Sequence, residues 1–129
     1  MARVKVFIVD DDPTFIKLLE RELTRAKLTP YEAYLSGEEC LANLHHKPKL
    51  VLLDFSLLGL NGLDVLKAIK EKSPKTDVVM ITAVEDAAVE AKCREAGARH
   101  YIHKSPDGLE RLREKVLSDY KGGFLSFLG

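Results

Sequence analysis

The chain has 129 residues, and at a typical length of about 150 per domain that leaves room for one domain and not for two. With 46% hydrophobic and 31% charged residues it reads as an ordinary globular domain. The 20 Lys and Arg cancel the 20 Asp and Glu, which argues against a nucleic-acid partner, and 2 cysteines are too few for a disulfide scaffold. No apolar run approaches the ~20 residues that span a bilayer, so no transmembrane segment is expected. Residues 1–9 hold an apolar stretch too short for a signal peptide, and three aspartates follow it at once. A reduced, cytoplasmic protein is expected.

Apolar runs of strand length alternate with amphipathic segments of helix length. Residues 4–9 (VKVFIV) form the first expected strand, closed by Asp10-Asp11-Asp12-Pro13. Pro13 suits a first helical turn and Asp12 can cap it. Phe15, Leu18, Leu19, Leu23 and Ala26 then fall on one helical face, with Lys17, Glu20, Arg21 and Arg25 off it. A short strand, Tyr31–Tyr34, follows Pro30, and Ser36-Gly37-Glu38-Glu39 is a capping-box pattern that opens a helix to about Leu44. Leu50–Leu53 (LVLL) is continuously apolar and ends in Asp54, which predicts a strand covered on both faces. Gly59 and Gly62 mark a loop before a helix bearing Leu63, Leu66 and Ile69, and Pro74 closes that unit. A second unbroken run, 78–81 (VVMI), ends in Thr82, and a helix over 87–96 stops at Gly97. His100–His103 is the last expected strand, ending at Lys104, and Ser105-Pro106-Asp107 starts a final helix with Leu109, Leu112, Val116 and Leu117. Gly122-Gly123 then leads to an apolar tail, 124–129.

Strand followed by helix, five times over, implies a parallel sheet with helices on both faces. In such sheets ligands bind beyond the carboxyl ends of the strands, where strand order reverses. With the order 2-1-3-4-5 that point lies between strands 1 and 3. Asp10 and Asp11 end the first strand, Asp54 the third, Thr82 the fourth and Lys104 the fifth, so three carboxylates, a hydroxyl and an ammonium would meet there. Carboxylates about 5 Å apart repel by roughly 3 kcal/mol per pair at an effective dielectric of ~20, so the cluster must hold a proton or a cation. Oxygen-only ligands favour a hard ion such as Mg²⁺ that keeps waters for an incoming phosphate. An aspartate can then attack phosphorus, with Lys104 and Thr82 holding the transferring oxygens. Each piece alone reads as an ordinary capping, loop or surface residue. Four matching strand ends in the right order do not.

From IVDDDP (8–13), LLD (52–54) with Gly62 following, ITA (81–83) and the stretch 101–104, the chain resembles the receiver domain of two-component response regulators over roughly residues 4–120. The resemblance implies a flavodoxin-like α/β fold, a doubly wound five-stranded parallel sheet, with Asp54 as phospho-acceptor. It makes Asp10 and Asp11 metal-binding acids, completed by Asp54 and the backbone carbonyl of Ser56, for Mg²⁺ or Mn²⁺. Thr82 and Lys104 would contact the phosphoryl group, and Tyr101 would partner Thr82 in the activation switch. With only a tail over 122–129 after the last helix, a stand-alone response regulator with a receiver over 1–121 is expected. Phosphoryl groups would come from a histidine kinase or phosphotransfer protein, and output would pass through contacts with a downstream protein. Such a protein is no enzyme beyond its own phosphorylation and dephosphorylation.

Two departures stand out. Asp54 is followed by Phe55-Ser56-Leu57-Leu58 where many receivers read Asp-x-x-Met-Pro, so a proline's fixed φ is missing from the loop. Lys104-Ser105 replaces the usual Lys-Pro, and a cis bond before a non-proline costs about 3 kcal/mol. The alternatives are an unphosphorylated pseudo-receiver, which would lack one of the site's groups, and a phosphohydrolase with an aspartyl nucleophile, which Ser56 in place of a second acid disfavours. His100 and His103 fall on opposite strand faces, His45 and His46 suit a helix C-terminus, and Cys40 and Cys93 are read as core fillers. Arg111, Arg113 and Lys115 alternate with Glu110 and Glu114 as a solvated face. The tail is expected to pack on a partner, on a second copy of the chain as a dimer, or on its own last helix.

Overall fold

The computed structural model describes residues 5–120. Residues 1–4 and 121 of the expected domain, including residue 4 of the first expected strand, and the tail over 122–129 lie outside the described residues. Five strands, β1 (Val6–Val9), β2 (Tyr31–Tyr34), β3 (Leu50–Leu53), β4 (Asp77–Thr82) and β5 (His100–His103), form one sheet in the order β2-β1-β3-β4-β5. Every pairing is parallel. The crossovers are α1 (Pro13–Arg25), α2 (Gly37–Ala42), α3 (Gly62–Lys72) and α4 (Ala87–Glu95), and α5 (Pro106–Arg111) follows the last strand.

The pleat divides the core in two. Val6, Ile8, Leu50, Leu52, Val79, Ile81 and Ile102 point to one face, where Phe15, Leu19 and Leu23 of α1 and Leu112, Val116 and Leu117 cover them. Phe7, Val9, Val51, Leu53, Val78, Met80 and Tyr101 point to the other, against Val65, Leu66 and Ile69 of α3, Cys40 of α2 and Cys93 of α4. Strands β3 and β4 are thus covered on both sides, the physical reason their sequences run apolar without alternation.

The helix starts follow their caps. Asp12 accepts the N–H of Thr14 at 2.9 Å with Pro13 at the first helical position, and Ser36 accepts the N–H of Glu39 at 3.2 Å. Asn61, Asp86 and Ser105 cap α3, α4 and α5 in the same way. Gly97 takes φ +108° after α4, a conformation that suits glycine. The peptide bond between Lys104 and Ser105 is trans; among the described residues the cis bond is Thr29–Pro30.

Three expectations are corrected. Leu18 is 37% exposed, and Ile16 and Glu22 take inward places on α1 instead. The helix expected to run to about Leu44 ends at Ala42 and continues as a 3₁₀ turn over Leu44–His46, because Asn43 leaves helical geometry at ψ 11°. The final helix widens into a π turn over Leu112–Val116 before a 3₁₀ turn over Leu117–Asp119, which brings both Leu112 and Val116–Leu117 onto the core.

Candidate functional site

Ile8, Leu52 and Ile102 share the face covered by α1, and Asp10, Asp54 and Lys104 each follow one of them by two residues. The period of two therefore carries all three polar groups to the same side, just past the carboxyl ends of β1, β3 and β5. Asp10 is 1% exposed, Asp54 is 5% exposed, and Asp11 sits half-buried at the rim. A carboxylate oxygen from each of these three lies within 4.8 Å of the others. The Lys104 ammonium bridges the two buried acids, with Nζ 2.8 Å from Asp10 Oδ2 and 3.0 Å from Asp54 Oδ2. The remaining oxygens are held by backbone: Asp10 Oδ1 accepts the N–H of Asp12 at 2.9 Å, and Asp54 Oδ1 accepts that of Ser56 at 3.2 Å.

Burial raises the Asp10 carboxyl above its ordinary range, against the pull of Lys104 and of the Asp12 N–H. For Lys104, burial alone would lower the ammonium, but its pairing with the Asp10 and Asp54 carboxylates outweighs that and holds the group above its usual value. The lysine is therefore a fixed positive charge at neutral pH. Its Nζ also lies over the ring of Phe15, 4.4 Å from the centroid.

Thr82 enters from the other face. It ends β4 fully buried, in step with Val78 and Met80, and its Oγ1 accepts the N–H of Val84 at 3.3 Å. Its carbonyl accepts the backbone N–H of Lys104 at 2.9 Å, which ties β4 to the lysine. Tyr101 lies on the same face as Met80 and donates its hydroxyl to the Val84 carbonyl at 2.8 Å. Burial pushes that phenol up to about 12, so it remains a donor. Thr82 and Tyr101 thus hold one residue, Val84, by its N–H and its carbonyl.

Two glycines let backbone close around this corner. A Cβ on Gly62 would lie 2.3 Å from the Asp54 carbonyl oxygen and 2.5 Å from Phe55 Cα, so α3 can start beneath the acceptor loop only without a side chain. The Gly62 N–H donates to the Phe55 carbonyl at 2.8 Å and closes that loop in the proline's absence. A Cβ on Gly108 would lie 1.8 Å from the His103 carbonyl, so α5 packs directly behind Lys104.

The donor set fits a hard divalent cation. Carboxylate oxygens within 4.8 Å of one another repel by at least about 3.5 kcal/mol per pair at an effective dielectric of ~20, and one ammonium balances only one of the three charges. All the donors are oxygen, as Mg²⁺ and Mn²⁺ prefer. Ser56 stands on the loop beside Asp54, and among the described residues its carbonyl accepts no backbone hydrogen bond. No histidine joins the cluster: His103 faces Glu85 at 3.2 Å and His46 faces Glu32 at 3.0 Å. Both cysteines are buried, and burial pushes the Cys40 thiol up to about 12, consistent with core filling.

Sequence reasoning missed Phe15, placed there only as a core residue, and Gly108, which looks like a helix-weakening residue. It also missed the tie between α1 and the last helix. Arg113, read as part of a solvated face, donates Nε and a terminal nitrogen to the two oxygens of buried Glu22, both at 2.9 Å. Opposite-sign residues 91 positions apart leave no local signal.

The family model described as response regulator receiver domain matches residues 6–117. The chain is 36% identical over 124 residues to the DNA-binding transcriptional regulator NtrC of Salmonella typhimurium, covering 94% of this chain and 26% of that protein. It is 38% identical over 117 residues to the response regulator protein PilR of Pseudomonas aeruginosa, covering 90% and 26%. The chain thus spans about a quarter of the length of these relatives. Among solved structures, the response regulator DrrB of Thermotoga maritima, described as an OmpR/PhoB homologue, superposes with a TM-score of 0.79 at 31% identity, over 93% of this chain and 55% of that one. A chain of the CheX-CheY-BeF3-Mg²⁺ complex from Borrelia burgdorferi gives 0.80 at 27% identity, over 91% of this chain and 89% of that one. No helix among the described residues is long and apolar enough to cross a membrane. With its 2-1-3-4-5 parallel sheet, its strand-end acids and the family match over 6–117, the chain belongs to the response regulator receiver domains of two-component signalling.

Proposed function

We propose that the chain takes a phosphoryl group onto Asp54 from a phosphohistidine on a histidine kinase or phosphotransfer protein, and signals through protein contacts that change with that modification. One observation carries the reading: a buried lysine bridges Asp10 and Asp54 inside a three-carboxylate cluster at the reversal point of the sheet. A carboxylate oxygen of Asp54 forms the new P–O bond while the P–N bond to the donor imidazole breaks. The bonding electrons leave with the imidazole nitrogen, which is protonated. Lys104 is already 3.0 Å from Asp54 and can hold a phosphoryl oxygen against the charge gathered there. Thr82 can donate its hydroxyl to another.

Asp10, Asp11, Asp54 and the Ser56 carbonyl would hold Mg²⁺ or Mn²⁺, which supplies positive charge against the phosphoryl oxygens. A move of Thr82 towards the phosphoryl group strains its bond from the Val84 N–H, and Tyr101 holds the other end of the same residue. The change would spread from there to α4 and β5. By this reading the chain turns over no substrate apart from its own phosphoryl group.

The test is intact mass after incubation with a small phosphodonor and Mg²⁺. One phosphoryl group should be added, and Asp54→Asn or a chelator should abolish the addition. Equal labelling of Asp54→Asn would sink the acceptor assignment. Steady donor hydrolysis without a phosphoprotein would favour the hydrolase alternative.

A further inference from the structure

The Lys104 ammonium pairs with both buried acids, 2.8 Å from Asp10 and 3.0 Å from Asp54, and donates a hydrogen bond to Asp54. The ring of Phe15 also bounds it, with Nζ 4.4 Å from the centroid. Phe15 lies in the first turn of α1, started by Pro13 and the Asp12 cap, and is 8% exposed among Ile8, Leu52 and Ile102. The ring is thus held by the core while one face meets a charge. The lysine side chain is 16% exposed, so little water competes for the contact.

We propose that Phe15 is a positioning residue for Lys104: its π face holds the ammonium over Asp54, in the place where a phosphoryl oxygen must be met. The effect on phosphorylation rests on the function proposed above; the contact itself does not. Were a cation to draw on the Asp10 carboxylate, the lysine would lose the shorter of its two ion pairs. The ring is then the contact that stops the four-carbon stem from swinging out to solvent. An aliphatic side chain of similar bulk would fill the same space without a quadrupole to attract the charge.

Two measurements on the full chain separate this from simple core packing. In the unphosphorylated protein the ε-methylene protons of Lys104, identified by their loss in Lys104→Ala, should be shifted upfield by the ring. Phe15→Leu should return them to the ordinary lysine position, and Phe15→Trp should keep the shift. Ordinary Lys104 shifts in the unmodified chain would overturn the proposal, whatever the fate of the function. With a small phosphodonor and Mg²⁺, Phe15→Leu should then slow phosphorylation by about 3- to 30-fold, the range of a partly desolvated cation–π contact. Phe15→Trp should restore it. Replacing Phe15 by mono-, di- and trifluorinated phenylalanine keeps the shape and drains the π face, so the rate should fall stepwise across the series. A flat series would assign Phe15 to packing alone. If the unmodified chain takes no phosphoryl group, the function fails while the shift data still decide the contact.

Discussion

Asp11 is the acid of the cluster that Lys104 leaves unpaired, since the ammonium bridges only Asp10 and Asp54. Removing its charge should therefore stabilise the fold in the absence of divalent ions. At the outer limit of 4.8 Å a carboxylate pair repels by about 3.5 kcal/mol at a dielectric of ~20 and about 0.9 kcal/mol in water. Asp11 faces two such partners from a half-exposed position at the rim, so the lower figure applies. Asp11→Asn should gain about 1–2 kcal/mol in chelator. For a domain of this size that raises Tm by roughly 3–10 °C. Mg²⁺ should reverse the order, because a ligand at 100 times its Kd stabilises the native chain by about 2.7 kcal/mol and the variant has lost one of the donors. Urea unfolding followed by circular dichroism, in EDTA and in Mg²⁺, reads both numbers. If Asp11→Asn is the less stable protein in EDTA with an unchanged m-value, or if Mg²⁺ stabilises both equally, the account of the cluster as a strained cation site is wrong.

Gly62→Ala places a methyl 2.3 Å from the Asp54 carbonyl and 2.5 Å from Phe55 Cα, both backbone atoms that cannot turn aside. It should cost about 3 kcal/mol in urea unfolding, and a loss under 1 kcal/mol would show the acceptor loop to be free to move. Hydrogen bonds from Arg113 hold Glu22 below the ordinary carboxylate value of 4.5, so the pair's stability is present above that pH and lost as pH falls through the lower, folded-state value. Glu22→Gln should therefore be less stable than the native chain at pH 7, with the gap closing in acid; a gap constant from pH 7 to pH 3 contradicts the tie. Ser56 and Val84, two residues beyond Asp54 and Thr82, offer no carboxamide or acid to orient an attacking water. The phosphorylated chain should lose its group slowly, and Ser56→Asn should speed the loss severalfold by intact mass; slower or unaltered decay would count against that role.

Local chemistry made much of the fold legible. Unbroken apolar runs at 50–53 and 78–81 require cover on two faces, and a parallel sheet is the arrangement that supplies it. Asp12, Ser36 and Ser105 cap helices because a side-chain oxygen beside a free N–H needs no distant partner. Asp10, Asp54, Thr82 and Lys104 are legible as strand ends, and parallel strands put those ends on one edge of the sheet. What stayed hidden depends on neighbours far along the chain. Hydrophobicity favours Leu18 over Glu22 on the inner face of α1, at 100° per residue. The structure exposes Leu18 and buries Glu22, because Arg113 on the last helix satisfies the carboxylate. Phe15 has the periodicity of any core residue, and only the return of β5 beside β4 and α1 sets a lysine over its ring. Gly108 is needed because α5 lies against the His103 carbonyl, a contact set by how the helix docks and not by its own propensity. Periodicity determines which face a residue takes; which partner waits on that face is decided only when the elements pack.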